Sequence, residues 1–213
     1  MSAVFIAKLE EKKPVIRHSD IPLLLKLSDG ACSFRIDGKA VVLPIEASYW
    51  QEAEGGLRVE TESAKLKLTL AIENGDTISI GGNIRNESGR AVALDRVELC
   101  IGKARLGETA EGRYAFLKNG FQSWTASHVH FPNEKEKVPL PATSKVMQEN
   151  MRNLPSGKPG ELVSDGYAVL GRLDDRIHLL IGQEPPFNQM AYIRANVARG
   201  EDGPPALTMV FDF

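Results

Sequence analysis

One segment of the chain combines residue types that bind sugars. Residues 116–125 read FLKNGFQSWT, an apolar run that ends in an Asn-Gly turn. The turn is followed by an aromatic ring, an amide, a hydroxyl and an indole, at Phe121, Gln122, Ser123 and Trp124. Indoles stack on the C–H face of a pyranose, and amides and hydroxyls pair with its hydroxyl groups. The segment therefore predicts a saccharide-binding loop, with burial of Phe121 and Trp124 beneath a tight turn as the alternative.

Two histidines follow this segment, at His128 and His130. In an extended chain their imidazoles point to the same side. A zinc site needs at least a third ligand, and apart from carboxylates and thiols only His18 and His178 remain. We therefore expect no metal and no cofactor. One imidazole is expected to donate a hydrogen bond to a sugar or a partner domain, or else both are exposed loop histidines.

The other polar and aromatic clusters have structural explanations. Trp50 is a candidate second sugar contact, although packing under a loop is its expected role. Asp174 and Asp175 are adjacent, and neighbours in an extended chain point to opposite faces, so they are expected at a hairpin tip rather than around a scissile bond. The mixed-charge run 134–137 is expected to be a solvated loop. We predict no catalytic residue in this chain.

Composition and charge exclude several classes of protein. The chain has 213 residues, with 26 basic and 28 acidic side chains and a formal net charge of −2. Duplex nucleic acids and anionic membranes select for an excess of basic residues, so neither is an expected partner. No secretory signal is recognisable, and no window approaches the roughly 20 apolar residues of a membrane span. Cys32 and Cys100 are expected as buried thiols of a cytoplasmic protein.

Alternating apolar and polar residues predict strands along most of the chain. Runs 66–70 and 77–84 flank Asn74-Gly75, which is the signature of a hairpin. Further turns are predicted at Asp29-Gly30, Asp37-Gly38 and Asp165-Gly166. About a dozen short strands at roughly ten-residue spacing indicate an all-β antiparallel sandwich. At most one short helix is predicted, at 144–154, inside a proline-rich irregular segment that we interpret as a binding element.

Two stretches resemble landmarks of one enzyme family. Residues 119–125, NGFQSWT, resemble the Asn-Gly-aromatic-Gln-Ser-Trp-Ser signature in the N-terminal domain of the α-galactosidases of glycoside hydrolase family 36. Residues 164–171, SDGYAVLG, are similar to that domain's second landmark, a Ser-Asp pair before an aromatic-led strand. Residues 177–182 resemble the strand that follows. Phe121 and Thr125 are mild departures from the signature.

The resemblance implies both a fold and a role. The family's N-terminal domain is a galactose-mutarotase-like β-supersandwich of two packed sheets, and it packs on a (β/α)8 barrel that carries both catalytic aspartates. Nothing in this chain matches the barrel's carboxylate motifs, and a barrel takes at least about 200 residues. The resemblance therefore implies a single N-terminal domain over 1–213 that is inactive alone, and the strand-like run 207–213 suggests that a barrel follows in the parent chain. Trp124, with Phe121, Gln122 and Ser123, is the implied galactoside contact.

Two alternatives to an accessory domain of an α-galactosidase-like enzyme remain. The first is a free-standing carbohydrate-binding module that uses the same loop, and the second is a β-sandwich that serves only protein–protein contact, with Trp124 buried. An accessory domain is expected to expose a contiguous apolar patch where the barrel docks. Exposed sandwich edges could also pair across a homodimer.

Overall fold

Strands make up nearly all of the regular structure. The computed structural model describes residues 4–109, 111–120, 127–136, 156–184, 190–197 and 205–213. Within these ranges a single 3₁₀ turn occurs, at Ala47–Tyr49, and no helix is long and apolar enough to cross a membrane. The strands are β1 (Phe5–Glu10), β2 (Lys13–His18), β3 (Leu23–Ile36), β4 (Lys39–Ile45), β5 (Gln51–Ala53), β6 (Gly56–Ser63), β7 (Leu66–Glu73), β8 (Ser79–Asn86), β9 (Val92–Leu106), β10 (Tyr114–Lys118), β11 (His128–His130), β12 (Glu161–Asp165), β13 (Tyr167–Arg172), β14 (Ile177–Gly182), β15 (Met190–Asn196) and β16 (Ala206–Asp212). The all-β prediction is confirmed, whereas the helix predicted at 144–154 lies outside the described residues.

Antiparallel hydrogen bonding joins these strands into three sheets. The large sheet has eight strands in the order β1-β2-β3-β9-β16-β15-β12, with β4 paired to β3. A second sheet runs β5-β6-β7-β8, and a third, which we call the β10 sheet, runs β11-β10-β13-β14. The chain passes from the large sheet into the β10 sheet twice, from β9 to β10 and from β12 to β13, and returns each time to the large sheet.

One hydrophobic core receives side chains from all three sheets. Its fully buried members include Phe34 of the large sheet, Leu68 of β7, and Phe116 and Leu170 of the β10 sheet. Burial alternates along β7, as expected for a strand with one face on a core. Trp50 belongs to the same cluster and is 3% exposed. The packing role predicted for Trp50 is therefore confirmed, and its indole does not offer a sugar-binding surface.

Of two turns predicted at Asp-Gly pairs, one is confirmed and one is wrong. Asp37 and Gly38 have φ of 50° and 76°, so the hairpin turn between β3 and β4 is confirmed. The turn predicted at Asp29-Gly30 is wrong, because both residues lie inside β3 at an irregularity between Ser28 and Ala31. A Cβ at Gly30 would lie 2.3 Å from the carbonyl oxygen of Glu98, so glycine is needed there for close approach of β9.

A buried arginine fixes the β10 sheet against the large sheet. Arg172, at the end of β13, donates from Nη1 to the carbonyl oxygens of Leu106 and Thr109, both at 2.7 Å. Its Nη2 donates to Oγ1 of Thr109 at 2.9 Å. Because Leu106 ends β9 and Thr109 lies three residues beyond it, Arg172 joins the β10 sheet to the large sheet at this end of the molecule.

The reactivity of the cysteine thiols tests the burial of the hydrophobic core. Cys32 is fully buried, and burial raises the pKa of its thiol to about 12, while burial also raises the pKa of the half-buried Cys100. A raised pKa keeps the thiol protonated until the pH approaches that value, and only the thiolate is reactive. In a Cys100→Ala variant at pH 8, we expect Cys32 to react with a thiol reagent at least ~10³-fold more slowly than in denaturant, since an unperturbed thiol has a pKa of about 8.5. Equal rates in the native and unfolded protein would contradict the burial of Cys32.

Candidate functional site

The predicted sugar-binding loop connects β10 to β11. The two strands pair as an antiparallel hairpin, with Lys118 opposite His128. The loop residues 121–126 lie outside the described residues, and with them the four predicted sugar contacts, Phe121, Gln122, Ser123 and Trp124. The structure therefore describes the base of this loop, formed by Asn119, Gly120 and Ser127.

Asn119 holds the loop base through its backbone and its side chain. Its N–H donates to Oγ of Ser164 at 2.6 Å, and its carbonyl oxygen accepts from the N–H of Asp165 at 3.1 Å. The side-chain Nδ2 donates to the carbonyl oxygen of Asp165 at 2.9 Å, while Oδ1 accepts from Oγ of Ser127 at 3.2 Å. Oγ of Ser127 also accepts from the N–H of Gly120 at 3.2 Å. The two ends of the loop are thus joined to each other and anchored to β12.

Ser164 is the buried partner in this junction. Its hydroxyl donates to the carbonyl oxygen of Tyr167 at 2.5 Å while accepting from Asn119. A single fully buried hydroxyl thereby connects the end of β10, the end of β12 and the start of β13. The two stretches that resemble family landmarks, 119–125 and 164–171, are separated by about forty positions in the sequence and meet here through hydrogen bonds.

A buried ion pair lies next to the loop base. The ammonium of Lys118 contacts Oε1 of Glu136, and the two side chains are only 6% and 7% exposed. The second carboxylate oxygen of Glu136 accepts from the N–H of Val163 at 3.1 Å. The prediction of a solvated loop at 134–137 is therefore wrong for Glu136. Pairing and hydrogen bonding compensate for the desolvation of both charges, which neither residue could sustain alone.

The two histidines of β11 have different surroundings. His128 is exposed, whereas His130 is 8% exposed, so the alternative in which both are exposed loop histidines is wrong. Burial lowers the pKa of His130, and the opposing influence of the nearby Glu136 carboxylate is smaller. The two ring centroids are 4.8 Å apart with the planes at 82°. A third side chain, Glu134, brings its Oε2 to 3.8 Å from Nδ1 of His130.

The opposite face of the β10 sheet is mostly apolar and partly exposed, with Ala115 and Gly171 buried, Leu117 and Val169 half-buried and the other side chains reaching solvent. Val129, Leu117, Val169 and Leu180 are register partners and form one row across all four strands. Val129 is 42% exposed and Leu180 is 68% exposed, while the neighbouring Tyr167 is 44% exposed. By strand alternation the face comprises Ala115, Leu117, Val129, Tyr167, Val169, Gly171, His178, Leu180 and Gly182. These nine described residues, which we call the apolar face, include no Asp, Glu, Lys or Arg.

Comparison with models of protein families, with curated proteins and with solved structures finds no match for this chain. The residues themselves therefore carry the functional argument. Three features bear on it: the loop base at Asn119, the apolar face, and the cluster of His128, His130 and Glu134.

The buried ion pair predicts strongly non-additive mutational effects. Lys118→Met leaves the Glu136 carboxylate buried without its cation, and we expect a loss of about 3–5 kcal/mol in the free energy of unfolding. In Lys118→Met/Glu136→Gln, the neutral amide still accepts from Val163, so the double variant is expected to be more stable than Lys118→Met. Urea denaturation of the four proteins of the cycle measures the coupling.

The exposed pair Lys158–Glu161 is the matched control. Its Nζ and Oε1 atoms are 3.5 Å apart, with side chains 71% and 36% exposed. The same double cycle at this pair is expected to give a coupling below about 1 kcal/mol. Additive losses at Lys118 and Glu136 would show that these two charges are not paired in the folded protein.

Proposed function

We propose that this chain is the accessory β-sandwich domain of an α-galactosidase-like glycoside hydrolase and has no hydrolytic activity by itself. The apolar face packs on the catalytic (β/α)8 barrel. The loop between β10 and β11 presents Trp124, together with Phe121, Gln122 and Ser123, to a galactoside in the barrel's pocket. The observation that carries the proposal is the apolar face, and the resemblance of 119–125 and 164–171 supplies the kind of partner.

The apolar face has the character of a permanent interface. Its central row consists of four aliphatic side chains in register, and each Å² of such surface removed from water contributes about 25 cal/mol. Large contiguous apolar patches are rare on monomeric proteins and mark sites of interaction. Obligate interfaces are more hydrophobic than transient ones. A charge-free face on one side of the β10 sheet, with the core on the other, therefore favours stable docking of another domain.

The loop base lies close to this face along the same strand. Leu117 belongs to the apolar face, and Asn119, two residues further on, begins the loop. A domain docked on the face is thus adjacent to the loop that carries Trp124. This proximity supports a role for the loop at the edge of a pocket that is shared with the docked domain.

The paired aspartates do not provide the chemistry of a glycosidase. A retaining mechanism needs two carboxyl groups about 5–5.5 Å apart with a substrate between them. Asp174 and Asp175 lie at the β13–β14 hairpin tip, as predicted, where Asp174 pairs with Arg113 at 2.7 Å and Asp175 with Arg172 at 2.9 Å. The arginine lowers the pKa of Asp174 through its backbone and side-chain hydrogen bonds. Both carboxylates therefore serve structural ion pairs, which supports assigning the catalytic acids to the barrel.

The proposal includes a cytoplasmic location. Cys32 and Cys100 are free thiols, and free thiols persist in a reducing compartment.

Sugar titration and a hydrolysis assay test the accessory role against the alternatives. Trp50 is buried in the core, so a Trp50→Phe variant reports on Trp124 alone. We expect no turnover of a chromogenic α-galactoside at any pH, and no change in Trp124 fluorescence with galactose or melibiose, because the barrel supplies the rest of the pocket. Trp124→Ala is expected to change the free energy of unfolding by about 0.5 kcal/mol or less, as surface substitutions do.

Each of the other possible outcomes indicates a different role for this chain. A fluorescence shift that is lost in Trp124→Ala indicates a free-standing carbohydrate-binding module. A Trp124→Ala variant that loses about 3–5 kcal/mol, with no response to sugar, indicates a contact domain with a buried indole. Turnover by the purified chain would overturn the accessory role altogether.

A hydrophobic dye tests the apolar face directly. We expect the native protein to bind anilinonaphthalene sulfonate, and the double variant Val129→Thr/Leu180→Gln to lose most of that signal, because both side chains are exposed and belong to the face. The matched control is Val42→Thr, since Val42 is 56% exposed on β4 of the large sheet. A signal that is absent, or equally reduced by Val42→Thr, would contradict a docking surface on the β10 sheet.

A further inference from the structure

His130 carries a buried nitrogen atom without a hydrogen-bond partner among the described residues. Its Nδ1 is inaccessible to solvent, and the nearest oxygen of Glu134 is 3.8 Å away, too far for a hydrogen bond. A buried polar atom without a partner costs free energy, so such atoms in folded proteins call for an explanation. A buried imidazole nitrogen without a partner that faces a carboxylate oxygen across 3.8 Å is the arrangement expected when both atoms bind the same cation.

A third potential ligand completes the set. The ligand atoms of His128, His130 and Glu134 all lie within 4.8 Å of one another. In a tetrahedral zinc site with bonds of about 2.0–2.1 Å, ligand atoms are about 3.3 Å apart, so the widest separation in the set needs to shorten by up to about 1.5 Å. His128 is exposed and free of core packing, so rotation of its side chain can supply this contraction.

We propose that His128, His130 and Glu134 bind a divalent transition-metal cation of the zinc type, with water at the remaining position. This proposal replaces the expectation of no metal, which rested on the lack of an evident third ligand in the sequence. It does not depend on the proposed glycosidase role, because none of its ligands is assigned to the sugar or to the apolar face.

The carboxylate is oriented by its own turn. Oε2 of Glu134 accepts from the N–H of Phe131 at 2.9 Å, and the N–H of Glu134 donates to the carbonyl oxygen of Phe131 at 3.0 Å. Metal-binding carboxylates are commonly held by hydrogen bonds of this kind. The Glu134 side chain is 42% exposed and His128 is exposed, so a cation and its water ligand have access from solvent.

The local charges favour a cation. Among the residues that the structure describes, the charged and titratable groups that influence His130 are Lys118 of β10, Glu134 and Glu136 after β11, and His128. The ammonium of Lys118 is paired with Glu136, which leaves the Glu134 carboxylate to face the imidazoles. Burial also favours the neutral form of His130, and neutral imidazole is the form that binds metal.

Bound metal would brace the hairpin that carries the loop. His128 directly follows the loop-base residue Ser127, and Glu134 lies two residues before Glu136 of the buried ion pair. A cation bound by His128, His130 and Glu134 would connect the start of β11 to the turn after β11. Glu136, which pairs with Lys118 of the β10 sheet, follows this turn. Metal binding is therefore expected to raise the melting temperature of the whole domain, since a ligand that binds the native state stabilises it.

The experiment uses the full chain without a histidine tag, dialysed against a chelator and then titrated with ZnCl₂ by calorimetry. We expect one cation per chain and a rise in melting temperature that saturates with it. Co²⁺ in place of Zn²⁺ is expected to give visible absorption bands of a low-symmetry site, a signature that general stabilisation does not produce.

Three variants assign the ligands. His128→Ala removes an exposed side chain and Glu134→Gln keeps an oxygen that can accept from Phe131, so both should fold and bind Zn²⁺ at least ~10-fold more weakly. His178→Ala is the matched control, an exposed histidine on the opposite face of the same sheet, and should bind as the parent protein does. Absence of binding in the parent protein would overturn the site. So would several equal weak sites, or an affinity that is unchanged in both His128→Ala and Glu134→Gln.

Discussion

The ion pair between Lys118 and Glu136 sets the geometry around the loop. Two charges with side chains 6% and 7% exposed are tolerable only if they are paired, so the segment after β11 must return beneath the β10 sheet. The second oxygen of Glu136 accepts from Val163 and so fixes β12 in the same place. Asn119 and Ser164, the immediate neighbours of Lys118 and Val163, are thereby brought within hydrogen-bond distance. The constraint on one buried carboxylate thus propagates to the base of the loop.

The β10 sheet separates two roles between its faces. Phe116 and Leu170 on its inner face pack into the core. Lys118 and His130, which are buried polar residues, lie on the same face. Its outer face carries the apolar row in which Leu180 is most exposed. Because successive residues of a strand alternate between faces, Leu117 lies on the apolar face while its neighbour Lys118 lies on the inner face in the buried ion pair. If a domain docks on the outer face as proposed, the strand that positions it is the one that also carries Lys118 of the ion pair.

The sequence predicts the strands and turns better than it predicts the contacts between them. Alternation at 66–70 and 77–84 identifies β7 and β8, and Asp37-Gly38 marks a true turn because two successive residues there adopt positive φ. Asp29-Gly30 has the same composition but is an irregularity inside β3, since what selects the glycine is the close approach of β9, which no local pattern records. Glu136 sits in a mixed-charge run typical of solvated loops, and its buried partner lies eighteen positions earlier. Gly30 and Glu136 are thus residues whose roles depend on contacts distant in sequence.

Glu134 illustrates the same limit and also a usable signal. It follows His130 by four positions across Pro132-Asn133, a pair that favours a turn, and a turn folds a chain back on itself. A carboxylate just beyond a turn after two alternate histidines on a strand is therefore a candidate ligand from sequence alone. What the sequence does not supply is that Nδ1 of His130 is buried without a hydrogen-bond partner among the described residues, and this unmet hydrogen bond is the physical reason to propose a cation there. That observation ties the proposed cation to the architecture of β10 and β11, because His130 is the register partner of Phe116 and His128 is the register partner of Lys118.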